Sequence, residues 1–384
     1  MTAIARMALF AAALVLSGAG VTGACSLCDP RAYSAPTFRQ EAALPMARVV
    51  LHGTISNPRT TGGLTGETDF QIKTILRTDP VVAGKSSLVL PRYLPINDKD
   101  KPPHYLLFCD VDKGKLDPYR GVVLRGAESV PYLKKALSLP SKEAAANLTF
   151  FFGYLEDPDP EVSRDAFFEF AKANDADIAR AAPGLDAARL RNWLKNPKTQ
   201  PQRIGVYALL LGACGKEQDI ALLRTLLGSQ EERYVNAADG LLAGYMQQKP
   251  REGWDFLQEV LADEKKPLLF RLAMLRTMRF YQLAHPKESR APILKAMRTL
   301  LAQSEMADLA IEDLRAWKIW DLTPEILKVY GQKGYTSPLV KRCIIRYALT
   351  CAPTDASRAF LKTRRAEEPD ELKVVEESLR FEAP

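Results

Sequence analysis

Few side chains in this sequence offer chemistry, and they are scattered. Cys25-Ser26-Leu27-Cys28 is a C-x-x-C, a spacing used for thiol exchange, half of a zinc site or haem attachment. Haem attachment is excluded because Asp29, not His, follows Cys28. Zinc would need a second ligand pair, and the only histidines, His52, His104 and His285, are too widely separated to suggest a cluster. A thioredoxin-like site lies between a strand and a helix, whereas this pair lies at the start of the mature chain. A structural disulfide tying that end to the first domain is therefore the expectation, with thiol chemistry and metal capture as alternatives. Were Cys25 lipidated, Cys28 with Cys109 would be the natural bridge. Connectivity among the six cysteines cannot be read from sequence. Cys343 and Cys351 fall in one expected helix, separated by a rise of about 12 Å, too far for a disulfide, and are expected as buried thiols.

Gly84-Lys85-Ser86 resembles the end of a phosphate loop, but Asp79 stands where that loop needs its first glycine, and Leu88-Val-Leu-Pro91 reads as extended. It is expected as a turn between strands. Arg271, Arg276 and Arg279 lie along one helix beside Phe270, Phe280 and Tyr281, an arrangement that could bind an anionic ligand, although a solvated face is the plainer reading. Trp193, Trp254, Trp317 and Trp320, with Tyr207, Tyr234 and Tyr245, could form an aromatic stripe but are expected in the core, where aromatics dominate packing. Asn147-Leu-Thr149 has the glycosylation pattern within a helical stretch and is set aside. H-E-x-x-H, G-x-S-x-G and the dinucleotide-binding glycine pattern are absent, so no catalytic residue, metal ligand or cofactor is assigned.

The first residues carry Arg6, then the apolar run Met7–Leu16, then small residues to Thr22-Gly-Ala-Cys25, which reads as a signal peptide over 1–24. That run is too short to span a bilayer. An exported protein, periplasmic or secreted, is expected. Thr22-Gly-Ala-Cys25 also resembles the bacterial lipobox, with Thr22 where that motif usually has Leu, and lipidation of Cys25 would be the only membrane contact. The 53 Lys and Arg against 46 Asp and Glu give +7, but the charges are interspersed along helices rather than gathered, which argues against a nucleic-acid partner.

Five short segments show the two-residue rhythm and turn punctuation of strands: 48–55, 68–76, 87–90, 105–109 and 121–124. A small β-barrel over 29–126 would bury their edges. From Val130 the rhythm becomes helical, with helices predicted at 186–195, 202–213, 217–228, 232–248, 252–263, 266–283, 290–303, 306–320, 323–333, 337–351, 355–366 and 370–381. Taken pairwise from Gln202, units begin every 30–40 residues or so, the period of helical-hairpin solenoids.

Two resemblances follow. The leader, the N-terminal cysteines, the strand Val49-Val-Leu-His-Gly-Thr-Ile55, Asp69-Phe-Gln-Ile-Lys-Thr-Ile-Leu76 and Tyr105-Leu-Leu-Phe108 resemble a netrin-like domain of the tissue inhibitors of metalloproteinases, an OB-type barrel. That resemblance implies that Cys25 could meet a metalloprotease's zinc, although those inhibitors carry Cys-x-Cys. Asp157-Pro-Asp-Pro160, Val162 and Ala166 resemble the turn of a HEAT repeat, with Ser163 at its usual Arg position. Asp159 should cap a helix begun by Pro160, with Val162 and Ala166 packed one turn apart. The expected architecture is a small OB or netrin-like barrel followed by a HEAT-like α-solenoid over 128–381. The expected function is non-enzymatic binding of a protein partner; the alternative is regulation of a metalloprotease through Cys25 and Cys28.

Overall fold

The computed structural model describes residues 35–382, apart from 63, 64, 99 and 141. The front of the chain is an antiparallel five-stranded sheet: β1 (Val49–Gly62), β2 (Thr65–Arg77), β3 (Ser87–Leu90), β4 (His104–Asp112) and β5 (Lys115–Leu124), in the order β3-β2-β1-β4-β5. All five expected strands are present, and four of them run longer than the pattern suggests. Lys113 and Gly114 turn β4 into β5 with φ of 48° and 74°, the left-handed pair that a two-residue hairpin requires. β5 carries on through Pro118, opposite Cys109 at a shift in register. A proline is tolerated there because bulges and edge strands leave an N–H unused. Among the described residues β3 and β5 share no ladder, so the sheet is open on that side, and the turn Pro80–Val82 packs against β5. Gly84, at φ 71°, lies in the turn between that segment and β3, so Gly84-Lys85-Ser86 is a turn, as expected.

Both faces of the sheet are buried along β1 and β4, because alternate residues there are apolar on each side. Val49, Leu51, Ile55, Phe70, Leu107 and Cys109 form one cluster. Val50, Leu106, Phe108, Val122 and Leu124 face the other way and join Phe38, Tyr132, Phe151 and the helical core. The sheet and the helices therefore share one core across the boundary expected near residue 127.

The Asp-Pro-Asp-Pro segment sits at this junction. Asp159 caps the helix Pro160–Ala171, its Oδ1 accepting the Glu161 N–H at 3.0 Å. Its Oδ2 accepts the Arg125 N–H at 2.8 Å and the Ser129 hydroxyl at 2.6 Å, so one buried carboxylate ties the end of β5 to two helices. Val162 and Ala166 are buried one turn apart, as expected. Further along, Asp165 accepts the Phe38 N–H at 2.6 Å and the Tyr132 hydroxyl at 2.5 Å, fastening the short helix Phe38–Ala42.

From Val130 to Glu382 the regular structure is helical. Ala187–Lys195 packs with Pro201–Cys214, Glu217–Leu227 with Ala238–Met246, Pro250–Ala262 with Leu268–Ala284, Arg290–Leu301 with Ala307–Ala316, Thr323–Lys328 with Pro338–Thr350, and Asp355–Glu367 with Pro369–Glu382. The second member of each pair lies against that of the next, through packing or, between Leu268–Ala284 and Ala307–Ala316, the Arg279–Asp313 ion pair at 2.8 Å. Hydrogen bonds from side chains to backbone carbonyls join successive pairs. Tyr335 Oη donates to Leu301 O across 34 residues, Tyr281 Oη to Ala243 O across 38, and Gln303 Nε2 to Leu261 O across 42. Where Pro201–Cys214 meets Ala238–Met246 the backbones touch: a Cβ on Gly240 would lie 2.3 Å from Gly205 Cα.

The structure departs from the expected helices in four places, the first being the helix 306–320, which stops at Ala316 ahead of Lys318 at φ 56°. The helix 232–248 is broken at Asn236-Ala237 into Glu232–Val235 and Ala238–Met246, with Tyr234 Oη held by Leu194 O at 2.9 Å and Gly240 seated on the neighbouring backbone. The helix 323–333 stops at Lys328, ahead of Gly331 at φ 72°. A helix at Asp175–Ala181 was not expected at all.

Candidate functional site

That unexpected helix forms one wall of a cavity of about 660 Å³, within the range typical of small-molecule sites. Asn174 caps it, its Oδ1 accepting the Asp177 N–H at 2.8 Å, and Ile178 roots it in the core, which leaves Asp175 on the cavity wall. The second wall is Trp254, half-buried in the first turns of Pro250–Ala262, a helix begun by its proline. The third is the end of Leu268–Ala284, carrying Phe280 and Tyr281. Trp254 and Tyr281 meet edge to face, centroids 5.8 Å apart, and Tyr281 Oη is fixed on Ala243 O at 3.1 Å. Leu209 and Met246 complete the apolar lining. Beyond Ala284, the His285 N–H closes on Tyr281 O at 2.8 Å and its ring lies against that of Tyr281, centroids 5.6 Å apart. The Ser289 hydroxyl donates to His285 O at 2.7 Å, and Glu288 lies on the rim.

Charge around this cavity is one-sided. Asp175 and Glu288 line it, with His285, and no lysine or arginine does. Burial raises the Asp175 carboxyl above the usual range, an effect partly offset by His285. Burial and the Asp175 carboxylate push the Tyr281 phenol well up. A second cavity, about 740 Å³ between Phe38 and Pro160–Phe168, is lined by Arg120, Arg164 and Arg203, but their guanidiniums are engaged by Glu41, Glu161 and Leu155 O. Comparison of the chain with protein families, curated proteins and solved structures finds no match.

The residues singled out from the sequence fall elsewhere. Cys25 and Cys28 lie outside the described residues, as does the signal peptide. Cys109 is wholly buried in the sheet, and burial together with Asp117 pushes its thiol up to about 12; among the described residues it has no disulfide partner. Cys343 and Cys351 are separate buried thiols, as expected. The three arginines do not converge on an anion site. Arg271 is buried against Glu305 at 2.8 Å and Gln303, Arg276 pairs with Asp239 at 2.5 Å, and Arg279 pairs with Asp313 at 2.8 Å. Each guanidinium is engaged by a carboxylate of a neighbouring helix pair, so neither an anion patch nor, for buried Arg271, a solvated face describes them. Tyr207, Tyr234 and Tyr245 are core residues, and of the four tryptophans Trp254 alone lines the cavity described here. Asn147 is buried, donating to Pro140 O at 2.8 Å, and so is no glycosylation acceptor.

The sequence gives no hint of the contact between His52 and His104, which the pairing of β1 with β4 brings to 3.1 Å between His52 Nε2 and His104 Nδ1. His52 is 1% exposed and its Nδ1 has no partner among the described residues. Burial, then His104, lowers its pKa to about 4, so it is neutral at physiological pH. No group of three or more potential metal-ligating side chains occurs among the described residues.

Proposed function

We propose that this chain is an exported, non-enzymatic binding protein in which a netrin-like, OB-type sheet domain anchors an α-solenoid of HEAT-like helix pairs, and that the helical surface takes a protein partner. The observation that carries this reading is the packing of each helix pair against the next, with side-chain hydrogen bonds to backbone carbonyls of the preceding pair such as Tyr335 to Leu301 and Gln303 to Leu261. A stack of this kind buries each pair against its neighbours and leaves an extended face free, which is how repeat proteins bind. Leu269 and Leu283, on either end of one helix, are 63% and 57% exposed and offer apolar surface to a partner. The strand order, and the Pro80–Val82 turn packed against β5, support the OB-type reading of the sheet. The run at Met7–Leu16 supports export, and lipidation of Cys25 remains part of the proposal as an envelope anchor. Regulation of a metalloprotease through Cys25 and Cys28 rests on the resemblance alone and is the weaker reading.

The test is crosslinking capture by the full chain from a native envelope fraction, comparing wild type with the double variant Leu269→Asp, Leu283→Asp and with Val123→Asp on the sheet. One reproducible partner lost only with the double variant is the expected result. A partner lost only with Val123→Asp, or a metalloenzyme recovered as the sole partner, would overturn the reading.

A further inference from the structure

We propose that the cavity between Asp175, Trp254 and Tyr281 binds a small organic cation: an amine or quaternary ammonium group on an aromatic or alkyl body. This deepens the binding role proposed above and rests on the same stacking of helix pairs, since the cavity is built from consecutive pairs and the Asp175–Ala181 helix.

Three independent features select a positive ligand. The first is the unpaired carboxylate. Among the described residues the Asp175 side chain makes neither a hydrogen bond nor an ion pair, whereas the acidic groups on the neighbouring helices, such as Asp239 and Asp313, are matched to arginines. Its helix is already capped by Asn174, and Asp175 adds to that only its favourable place in the first turn, with no hydrogen bond of its side chain. The second is the backbone. Pro201–Cys214, Ala238–Met246 and Leu268–Ala284 all bring their C-terminal ends to this cavity through Ala213, Met246 and Ala284, and none carries a basic residue in its last turn. Helix C-termini carry partial negative charge and favour cations; the N-termini of Asp175–Ala181 and Pro250–Ala262 also reach the cavity and offset part of that charge, and His285, the cap of Leu268–Ala284, is the one titratable base in the lining. The third is the aromatic wall of Trp254, Tyr281 and Phe280, whose ring faces attract cations. The volume of about 660 Å³ and the apolar floor then ask for a body larger than a metal ion or ammonium.

The probes are phenethylamine, its neutral analogue phenethyl alcohol and its anionic analogue phenylacetate, titrated into the full chain by ligand-observed NMR. Phenethylamine should bind at least tenfold more tightly than the alcohol, and phenylacetate should not bind. Asp175→Asn should weaken phenethylamine about tenfold and leave the alcohol unchanged, and Glu288→Gln should weaken the amine by a smaller factor. Trp254→Phe should weaken all binding without loss of fold. Equal affinity for the three probes, or an amine affinity untouched by Asp175→Asn, overturns the proposal. Binding of a lysine-containing peptide with the free amine excluded would also overturn it, in favour of a peptide occupant. Partner capture by the Asp175→Asn chain separates this from the proposed function. If capture persists while the amine fails to bind wild type, only the ligand assignment falls; if the amine binds and no partner is captured, only the scaffold reading falls.

Discussion

His52 allows the electrostatics of the sheet to be tested on its own. The ring is 1% exposed, its Nε2 is shared with His104, and its pKa falls from 6.5 to about 4. In the unfolded chain the ordinary value returns, so between these pH values the unfolded state binds the proton and the native state does not. Stability from this group is therefore complete above 6.5 and is lost as pH falls toward 4. Linkage puts the loss at about 2 kcal/mol at pH 5 and about 3 kcal/mol at pH 4. Carboxylates titrate in the same window, so the informative quantity is the difference between wild type and His52→Leu. At pH 7.5 the two should lie within about 1 kcal/mol, because the substitution removes one hydrogen bond but also a buried, unpartnered nitrogen. Urea unfolding, followed by circular dichroism at stepped pH, should show wild type losing about 3 kcal/mol relative to the variant by pH 4. Parallel curves for the two proteins would refute the reasoning.

Asp159→Ala should destabilise by about 3 kcal/mol, since it removes a helix cap and leaves the Arg125 N–H and the Ser129 hydroxyl unpaired at the junction of sheet and helices; chemical denaturation measures it. Gly240→Ala should cost about 2–3 kcal/mol by forcing apart two helices in backbone contact, and the loss should shrink when Leu241, on the same helix, is the residue changed to a similar side chain such as Met. Among the four cysteines of the described residues, thiol titration of the native chain should leave Cys109, Cys343 and Cys351 unmodified while Cys214, only partly buried, reacts before them; rapid native modification of Cys109 would contradict its burial.

The strands could be read in the sequence because both of their periods are local: Phe70 alternates with Gln71, and Lys113-Gly114 announces its own turn. Most helices could be read for the same reason, and the Asp159-Pro160 start was found by its capping chemistry. Asp175–Ala181 was missed because it is short and only Ile178 and Ala181 anchor it among apolar side chains, although Asn174 before it, Asp175 in its first turn and Arg180 in its last are signals of both ends. The cavity was beyond reach because Asp175, Trp254 and Glu288 are ordinary residues in their own segments and only stacking brings them together. The arginine triad misled for the opposite reason. Arg271, Arg276 and Arg279 are neighbours along one helix, but their partners Glu305, Asp239 and Asp313 come from the pairs before and after. His52 and His104 show the same limit in the sheet, since register decides which side chains meet.

The function proposed above puts partner binding on the helical stack rather than on the sheet. Hydrogen-exchange protection of the full chain, measured with and without the captured partner, tests it most directly. New protection is expected in Pro250–Ala262 and Leu268–Ala284, with β1 to β5 unchanged. Protection confined to the sheet, or none on the helices at saturating partner, would contradict it.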